Sequence, residues 1–305
     1  KSATGNSILG RKSFKSRASS SGVTSTCELQ QTVMEDGQIV NVIDTPGLFD
    51  FAPGSEFIGK EIVKCIEMAK DGIHAILVVF SVRSRFSQEE EAALRSLQTL
   101  FGDKITRYMI IVFTGGDELE DNDETLEDYL GECPQPLQEI LALCGNRRVL
   151  FNNKTKNELQ RAEKVQELLS LVDAVIAQNG GRPYSDELFA ELKGAMKLRD
   201  KQEDAESLRG YSKREISEFK VQIEKSYEEQ LQRITEMVES KLRETTTRLE
   251  KQLAEEQAAR LKAEEVAQIA QKKSNDEIRK LRENLERAQK ETEELRKQAE
   301  SRGCT

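Results

Sequence analysis

The chain has 305 residues, a net charge of −9 and 37% hydrophobic residues, which is enough for a domain with a sizeable core and an extension. The sequence lacks the basic stripe that is typical of nucleic-acid-binding proteins. No apolar run reaches the ~18 residues of a membrane-spanning helix. The five cysteines follow neither a metal-binding nor a paired spacing, so we predict unpaired cysteines in a reducing compartment.

In the first 180 residues, apolar strand-like runs alternate with helical periodicity, which predicts a doubly wound, mostly parallel α/β sheet. The run Ile73–Phe80 is continuously apolar and predicts a strand covered on both faces, with His74 in the core. Strands are predicted at 29–34, 39–43, 73–80, 108–113 and 148–151, and helices at 2–9, 57–66, 87–101, before 143, at 157–177 and at 185–200.

Residues 211–302 contain no glycine and no proline, which predicts a long helix. Apolar residues at 227–253 recur with an eleven-residue period, and those at 278–299 follow a heptad. Such a helix either pairs in a coiled coil or stays single, supported by ion pairs four residues apart. We therefore predict a globular domain at 1–180, a helical linker at 181–210 and an extended helix or coiled coil at 211–302.

Lys1-Ser2 has the order that ends a phosphate-binding loop, G-x-x-x-x-G-K-S/T. The lysine of such a loop reaches the β- and γ-phosphates, and the hydroxyl binds Mg²⁺. Because the chain opens on lysine and not on methionine, we expect the first strand and the glycines of the loop to precede it. Taken alone, the two residues are better explained as an ordinary helix start, and only the other motifs favour a phosphate loop.

The strand at 39–43 runs into Asp44-Thr45-Pro46-Gly47. In a phosphate-handling α/β domain, an aspartate here belongs to the Mg²⁺ shell, and the glycine N–H contacts the γ-phosphate. The same turn also follows strands in folds that bind no phosphate. The Ser/Thr-rich loop upstream offers Thr24 or Thr26 as a further hydroxyl for Mg²⁺ and the γ-phosphate.

Thr114-Gly115-Gly116-Asp117 follows the buried strand at 108–113 and is similar to the base-reading motif N/T-K-x-D. Its aspartate would accept hydrogen bonds from N1–H and N2–H₂ of guanine, a pair of donors that adenine lacks. Gly115 stands where the motif usually has lysine. Asn152-Asn153, after the last strand, lies where a residue would contact guanine O6, although asparagine is also a common turn residue.

The four motifs occur in one order, and each lies at the carboxyl end of a strand or the start of a helix, where open α/β sheets bind ligands. Together they predict that GTP or GDP binds with Mg²⁺. The predicted nucleotide contacts are Lys1, Ser2, Thr24, Asp44, Gly47, Thr114, Asp117, Asn152 and Asn153, and the predicted Mg²⁺ contacts are Ser2, Thr24 and Asp44.

These motifs resemble those of the avirulence-induced-gene or immune-associated nucleotide-binding GTPases, in the plant form with Thr-Gly-Gly-Asp. The most specific block is 73–90, which ends Ser81-Val82-Arg83-Ser84-Arg85-Phe86-Ser87-Gln88-Glu89-Glu90, and the resemblance covers about residues 1–200. It implies a P-loop GTPase related to septins and Toc GTPases that dimerises across its nucleotides. It also implies helical C-terminal extensions, a cytoplasmic or endomembrane-surface location, a stress or immune role, and Thr24 as the switch threonine.

Leu48 follows Gly47 at the place where self-sufficient small GTPases have a glutamine that orients water. We therefore predict slow GTP hydrolysis, with a catalytic group supplied by a second copy of the chain. Arg85 is the predicted catalytic residue, and Arg83 is the second choice. The alternative for Arg85 is a surface ion pair with Glu89, four residues on.

The leading hypothesis is a GTP-binding switch and slow GTPase. Its predicted partners are a second copy, bound through the globular domain or the coiled coil, a helical protein and a membrane surface. The alternatives are a nucleotide-binding coiled-coil scaffold without turnover, and an ATPase or nucleotide-independent α/β domain; Asp117 argues against ATP. Cys304 would start a prenylation signal only if two further residues followed Thr305.

Overall fold

The computed structural model describes residues 1–17, 23–47, 55–69, 72–185, 187–204 and 213–302. Its contacts divide the chain into two compact units, Lys1–Thr246 and Thr247–Thr305. The first unit contains the strands, the shorter helices and the beginning of the last helix. The second contains the remainder of that helix.

The strands form two separate sheets, a two-stranded antiparallel one and a three-stranded parallel one in the order β3-β4-β5. The central strand β4 is buried over its first five residues, because it is covered by helices on both faces. In the strand register, Ser81 pairs with Thr114 and Thr114 pairs with Phe151. The last residues of the three parallel strands are therefore aligned, and the strands end level at one edge. The strands are β1 (Glu28–Val33), β2 (Ile39–Asp44), β3 (Ile76–Ser81), β4 (Met109–Thr114) and β5 (Arg148–Phe151).

Local signals set several helix starts. Ser87 and Glu90 form a reciprocal capping box at the start of α3, as predicted, and Asn157 caps α7. The structure therefore confirms a mixed α/β domain with a parallel sheet, followed by a long C-terminal helix. The helices are α1 (Ser2–Leu9), α2 (Ser55–Met68), α3 (Gln88–Phe101), α4 (Gly116–Asp121), α5 (Leu126–Gly131), α6 (Gln135–Leu143), α7 (Glu158–Gln178), α8 (Glu187–Asp204) and α9 (Lys213–Arg302), with a short 3₁₀ turn at Asp103–Tyr108.

A cleft of about 1290 Å³ separates β2 from β3, and it is lined mainly by apolar side chains such as Val42, Ile76 and Leu168. Five of the six residues of β3 are only half-buried, so the prediction of a strand covered on both faces was wrong for β3. The physical reason is that β3 pairs with β4 on one edge and borders the cleft on the other. His74, predicted to lie in the core, is exposed in the same region.

The first part of α9 packs into the core of the first unit. Ile234, Val238 and Leu242 are no more than 7% exposed. This part of the apolar stripe, which recurs with an eleven-residue period, is therefore covered by the chain's own domain. Gly59 of α2 permits the close approach, since a Cβ atom there would lie 3.1 Å from Cγ of Glu239. No helix in the described ranges contains a segment long and apolar enough to cross a bilayer.

Cys27 and Cys65 form a disulfide that joins the start of β1 to α2, with their Cα atoms 5.9 Å apart. The prediction that the cysteines are unpaired was therefore wrong for these two. They lie 38 residues apart and meet only because β1 packs against α2, which no spacing pattern reveals. Glu61 supports the junction by accepting a hydrogen bond from the Cys27 amide at 2.6 Å. Cys304 lies outside the described residues.

Candidate functional site

Three oxygen-bearing side chains meet where α1 begins. The Ser2 hydroxyl donates a hydrogen bond to Asp44 Oδ2 at 2.6 Å and lies 3.0 Å from the Thr24 hydroxyl. Thr24 Oγ1 donates to the same carboxylate oxygen at 3.4 Å. Asp44 is the last residue of β2 and is only 7% exposed. The fold thus brings together three residues that belong to separate motifs in the sequence.

Lys1 lies beside the turn that follows β2. Its ammonium donates a hydrogen bond to the Pro46 carbonyl at 2.9 Å. Gly47 is exposed at the end of this turn, whereas Leu48 lies outside the described residues. Within the described part of the chain, no side chain caps α1, so the N–H groups of its first turn are available beside Lys1 and Ser2.

Thr26, the alternative to Thr24, has different partners. Its hydroxyl donates to the carboxylate of Glu61 on α2 at 3.0 Å and accepts a hydrogen bond from the Lys64 ammonium. Thr24 is the threonine that contacts Ser2 and Asp44. The hydrogen-bond partners therefore distinguish Thr24 from Thr26, which the local sequence alone does not.

The donor set formed by Ser2, Thr24 and Asp44 fits Mg²⁺ in ligand type. Mg²⁺ prefers hard oxygen ligands and commonly takes one or two carboxylates together with water and phosphate oxygens. Two hydroxyls and one buried carboxylate meet that description, with their oxygens within 3.4 Å of one another. Among the residues that the structure describes, no group of three or more His, Cys, Asp or Glu forms a competing metal site.

A second polar cluster surrounds Asp117, in the first turn of α4 after β4. Oδ2 of Asp117 accepts a hydrogen bond from the Lys154 ammonium at 2.9 Å and another from the Arg83 guanidinium. The hydrogen bond from Lys154 and the charge of Arg83 lower the pKa of Asp117. The carboxylate is thus held ionised as a strong acceptor for paired N–H donors.

Gly115 has a backbone conformation that lysine, the usual residue of the motif, would adopt only with strain. Its φ is +91°, in the left-handed region that favours glycine. A Cβ atom there would lie 3.2 Å from Val82 Cγ2 and 3.3 Å from Arg83 Cγ. The side chain of Arg83 therefore already lies beside the position from which a lysine would extend. Thr114 turns its hydroxyl away, donating to the Phe80 carbonyl at 3.0 Å.

The two asparagines after β5 have different partners. Asn152 accepts hydrogen bonds from the backbone of Lys154 and Thr155, both at 3.1 Å, which closes a turn and positions Lys154. Asn153 accepts from the Ser7 hydroxyl at 2.8 Å and donates to Thr4 Oγ1 at 3.2 Å. Because Ser7 and Thr4 belong to α1, Asn153 ties the Asp117 side of the edge to the helix that carries Ser2.

Arg85 lies in the turn between β3 and α3 and is exposed. Arg85 and Glu89 both lie within the described residues, and they do not form the ion pair that was the alternative for this arginine. Arg83, two residues before it, is engaged with Asp117 and, through Nε at 3.5 Å, with Glu118. The two arginines of the block therefore have different environments.

Sequence reasoning missed two contributors to the Asp117 cluster. Lys154 directly follows the asparagine pair, and a cation next to a suspected recognition motif is a signal that was available. Arg83 was considered only as a catalytic residue. Its contact with Asp117 spans 34 positions and depends on β3 and β4 ending level, so no local pattern indicates it.

The two clusters lie at the carboxyl ends of β2 and β4, which belong to separate sheets, and ligand sites in open α/β folds are found at strand ends of this kind. One end supplies hard oxygens, a lysine and the start of a helix, which are groups that bind phosphate and a divalent cation. The other end supplies the Asp117 carboxylate, which accepts hydrogen bonds from Arg83 and Lys154. The arrangement suits a ligand with a charged phosphate end and a base that offers two adjacent N–H groups.

Comparisons with known proteins identify the family. The model of the AIG1 family matches residues 1–203. "Immune-associated nucleotide-binding protein 9" of Arabidopsis thaliana is 66% identical over 97% of this chain and 87% of that protein. "Immune-associated nucleotide-binding protein 7" of the same plant is 47% identical over 83% and 82%. A solved structure of Toc33 from Arabidopsis thaliana, a dimerization-deficient mutant, is 17% identical over 57% of this chain and 79% of that one, with a TM-score of 0.38. The chain therefore belongs to the AIG1 family, whose plant immune-associated members its motifs resemble.

Proposed function

We propose that the chain is a GTP-binding switch that hydrolyses GTP slowly and is accelerated by a second copy of itself. The observation that carries this proposal is a pair of polar clusters, one at the end of β2 and one after β4, which Asn153 links through its hydrogen bonds with Ser7 and Thr4 of α1. Ser2, Thr24 and Asp44 meet within 3.4 Å, and Lys154 and Arg83 lower the pKa of Asp117. The names of the two relatives, both immune-associated nucleotide-binding proteins, support a nucleotide as the ligand.

The proposed roles follow from the contacts. Asp117 recognises the guanine edge, and Lys1 with the first turn of α1 binds the phosphates. Ser2, Thr24 and Asp44 hold Mg²⁺, which neutralises phosphate charge when it is bound. The remaining residues proposed to contact nucleotide are Gly47, Thr114, Asn152 and Asn153.

Thermal unfolding in the presence of nucleotide tests this proposal. With GDP and Mg²⁺ at about 100 times the dissociation constant, the full-length protein should gain about 2.7 kcal/mol of unfolding free energy. ADP at the same concentration should leave the midpoint of unfolding unchanged, because adenine lacks the donor pair for Asp117. EDTA should reduce the effect of GDP. Equal shifts with both nucleotides would indicate an ATPase-type site, and no shift would indicate a domain that does not bind nucleotide.

We also propose that the second unit assembles the protein through its heptad. Leu281, Leu285 and Leu295 are 68%, 59% and 66% exposed, which is a costly arrangement for a helix that stays single. A chain lacking residues 247–305 should therefore have a smaller oligomeric mass in solution, measured by light scattering. Leu281→Ala combined with Leu285→Ala should act in the same direction. Glu283→Ala, on the outward side of the heptad, is the matched control.

If both the full chain and the shortened chain are monomers, the tail is instead a single helix stabilised by ion pairs such as Glu293 with Lys297 at 3.4 Å. The second function hypothesis, a nucleotide-binding scaffold without turnover, shares the same fold and ligand. It differs in predicting no phosphate release at any protein concentration. The cytoplasmic or endomembrane location, a helical protein partner and an immune role are implied by the family resemblance and remain predictions.

A further inference from the structure

Arg83 donates to the carboxylate that is proposed to read the base. Its guanidinium binds Asp117 Oδ2, and its Nε lies 3.5 Å from Glu118 Oε2. A guanidinium presents adjacent N–H donors in a plane. The N1–H and N2–H₂ edge of guanine is the same chemical grouping within a ring. Arg83 and guanine therefore offer equivalent donors to one acceptor.

We propose that Arg83 is an internal competitor of guanine, which occupies Asp117 in the free protein and must leave it before the base binds. This inference rests on the proposed guanine-binding function and adds a residue that sets how fast and how tightly the nucleotide binds. Arg83 is a positioning residue in this proposal, since its role is exerted through Asp117.

Three features of the structure favour reversible competition over a permanent ion pair. The side chain of Arg83 is 39% exposed and lies in the turn after β3, so it can rotate away without repacking the core. Glu118 offers a second anion for the displaced guanidinium. Lys154, the other donor to Asp117, is 68% exposed, and the Asp117 side chain is itself 24% exposed, so the carboxylate can be reached from solvent.

Gly115 is consistent with the same proposal. A Cβ atom at this position would lie 3.3 Å from Arg83 Cγ and 3.6 Å from Arg83 Nε, so it would crowd the stem of the arginine and require it to shift by a few tenths of an ångström. Glycine at position 115 thus leaves the stem of Arg83 uncrowded beside Asp117.

Stopped-flow fluorescence with ribose-labelled GDP and Mg²⁺ tests the proposal in the full-length protein. Arg83→Ala should raise the association rate and the affinity by about two- to fivefold, the range typical of an exposed ion pair. Loss of a positive charge alone would slow the association of an anionic nucleotide, so a rise specifically reports the removal of a competitor. Arg95→Ala, which removes an exposed pair with Glu91 on α3, is the matched control and should change neither quantity.

The base of the probe provides a second readout. Inosine diphosphate (IDP) keeps the N1–H donor of GDP and lacks its 2-amino group. Removal of a competitor that never contacts the base changes the affinities for GDP and IDP by the same factor. Arg83→Ala should therefore raise the affinities for GDP and IDP by the same factor. Arg83→Lys keeps the charge, loses the planar pair of donors and should fall between wild type and alanine.

Two outcomes would overturn the inference. Weaker or slower GDP binding by Arg83→Ala, in a variant that unfolds at the wild-type temperature, would show that Arg83 helps to hold the base. Unchanged binding would show that the ion pair does not compete with guanine. Failure of the wild-type protein to prefer GDP over ADP is a different result, because it contradicts the proposed function itself.

Discussion

Asp117→Asn is expected to lower the affinity for GDP by about 10²- to 10⁴-fold. In the proposed complex the carboxylate would accept two charge-assisted hydrogen bonds from guanine, each worth about 1.5–3 kcal/mol, and every 1.4 kcal/mol is about tenfold in affinity. Asparagine replaces one acceptor with a donor, which then faces the guanine N–H groups. Calorimetric titration of the full-length protein with GDP in the presence of Mg²⁺ measures the loss.

Xanthine provides a complementary measurement, because it carries a carbonyl oxygen where guanine carries the 2-amino group. The Asp117→Asn variant should bind XDP more tightly than wild type does, since its amide can donate to that oxygen. Glu118→Gln is the matched control, a neutralised carboxylate in the same turn of α4, and should leave the preference for GDP intact. If Asp117→Asn keeps the wild-type GDP affinity, Asp117 does not recognise the base.

Arg85→Ala is expected to abolish the increase in GTP hydrolysis per subunit that accompanies rising protein concentration. An arginine supplied across a dimer stabilises the charge that develops on the transferred phosphate, which is worth about 10³–10⁵ in rate where it operates. Arg85 suits this role because it is exposed and does not form the alternative ion pair with Glu89. Phosphate release, measured over a series of protein concentrations, reports the effect.

The concentration series distinguishes the hypotheses for this arginine. Arg85→Ala should leave the affinity for GDP unchanged, because Arg85 is not among the residues proposed to hold the nucleotide. Glu89→Ala is the control for the ion-pair alternative and should leave the concentration dependence intact. If wild-type activity per subunit does not rise with concentration, no trans-acting group operates. If the rise persists in Arg85→Ala, another residue supplies the group.

Much of the fold could be predicted because its signals are local. The capping box of Ser87 and Glu90 starts α3 where expected, and α1 and β5 have the predicted bounds. The order of the site motifs along the chain was also readable, since each follows a strand. The Asp117 cluster forms because β3, β4 and β5 end level, whereas Asp44 ends β2 in the other sheet.

The features that escaped prediction all depend on distant contacts. The Cys27–Cys65 disulfide requires β1 to lie against α2, and the pairing of Arg83 with Asp117 requires two strands to end together. The burial of Val238 on the domain could not be inferred from periodicity, because an apolar stripe does not specify what covers it. A stripe of this kind can face a second chain or the same one.

The first part of α9 belongs to the same compact unit as the strands. Composition places a natural cut near the glycines at 180 and 181, yet contacts close the first unit only at Thr246. A fragment ending at 180 would leave the partners of Ile234, Val238 and Leu242 in water, at about 1.5–3 kcal/mol for each lost side chain. The last helix therefore contributes its first residues to the core of the first unit, and the assembly proposed above concerns only the residues after Thr246.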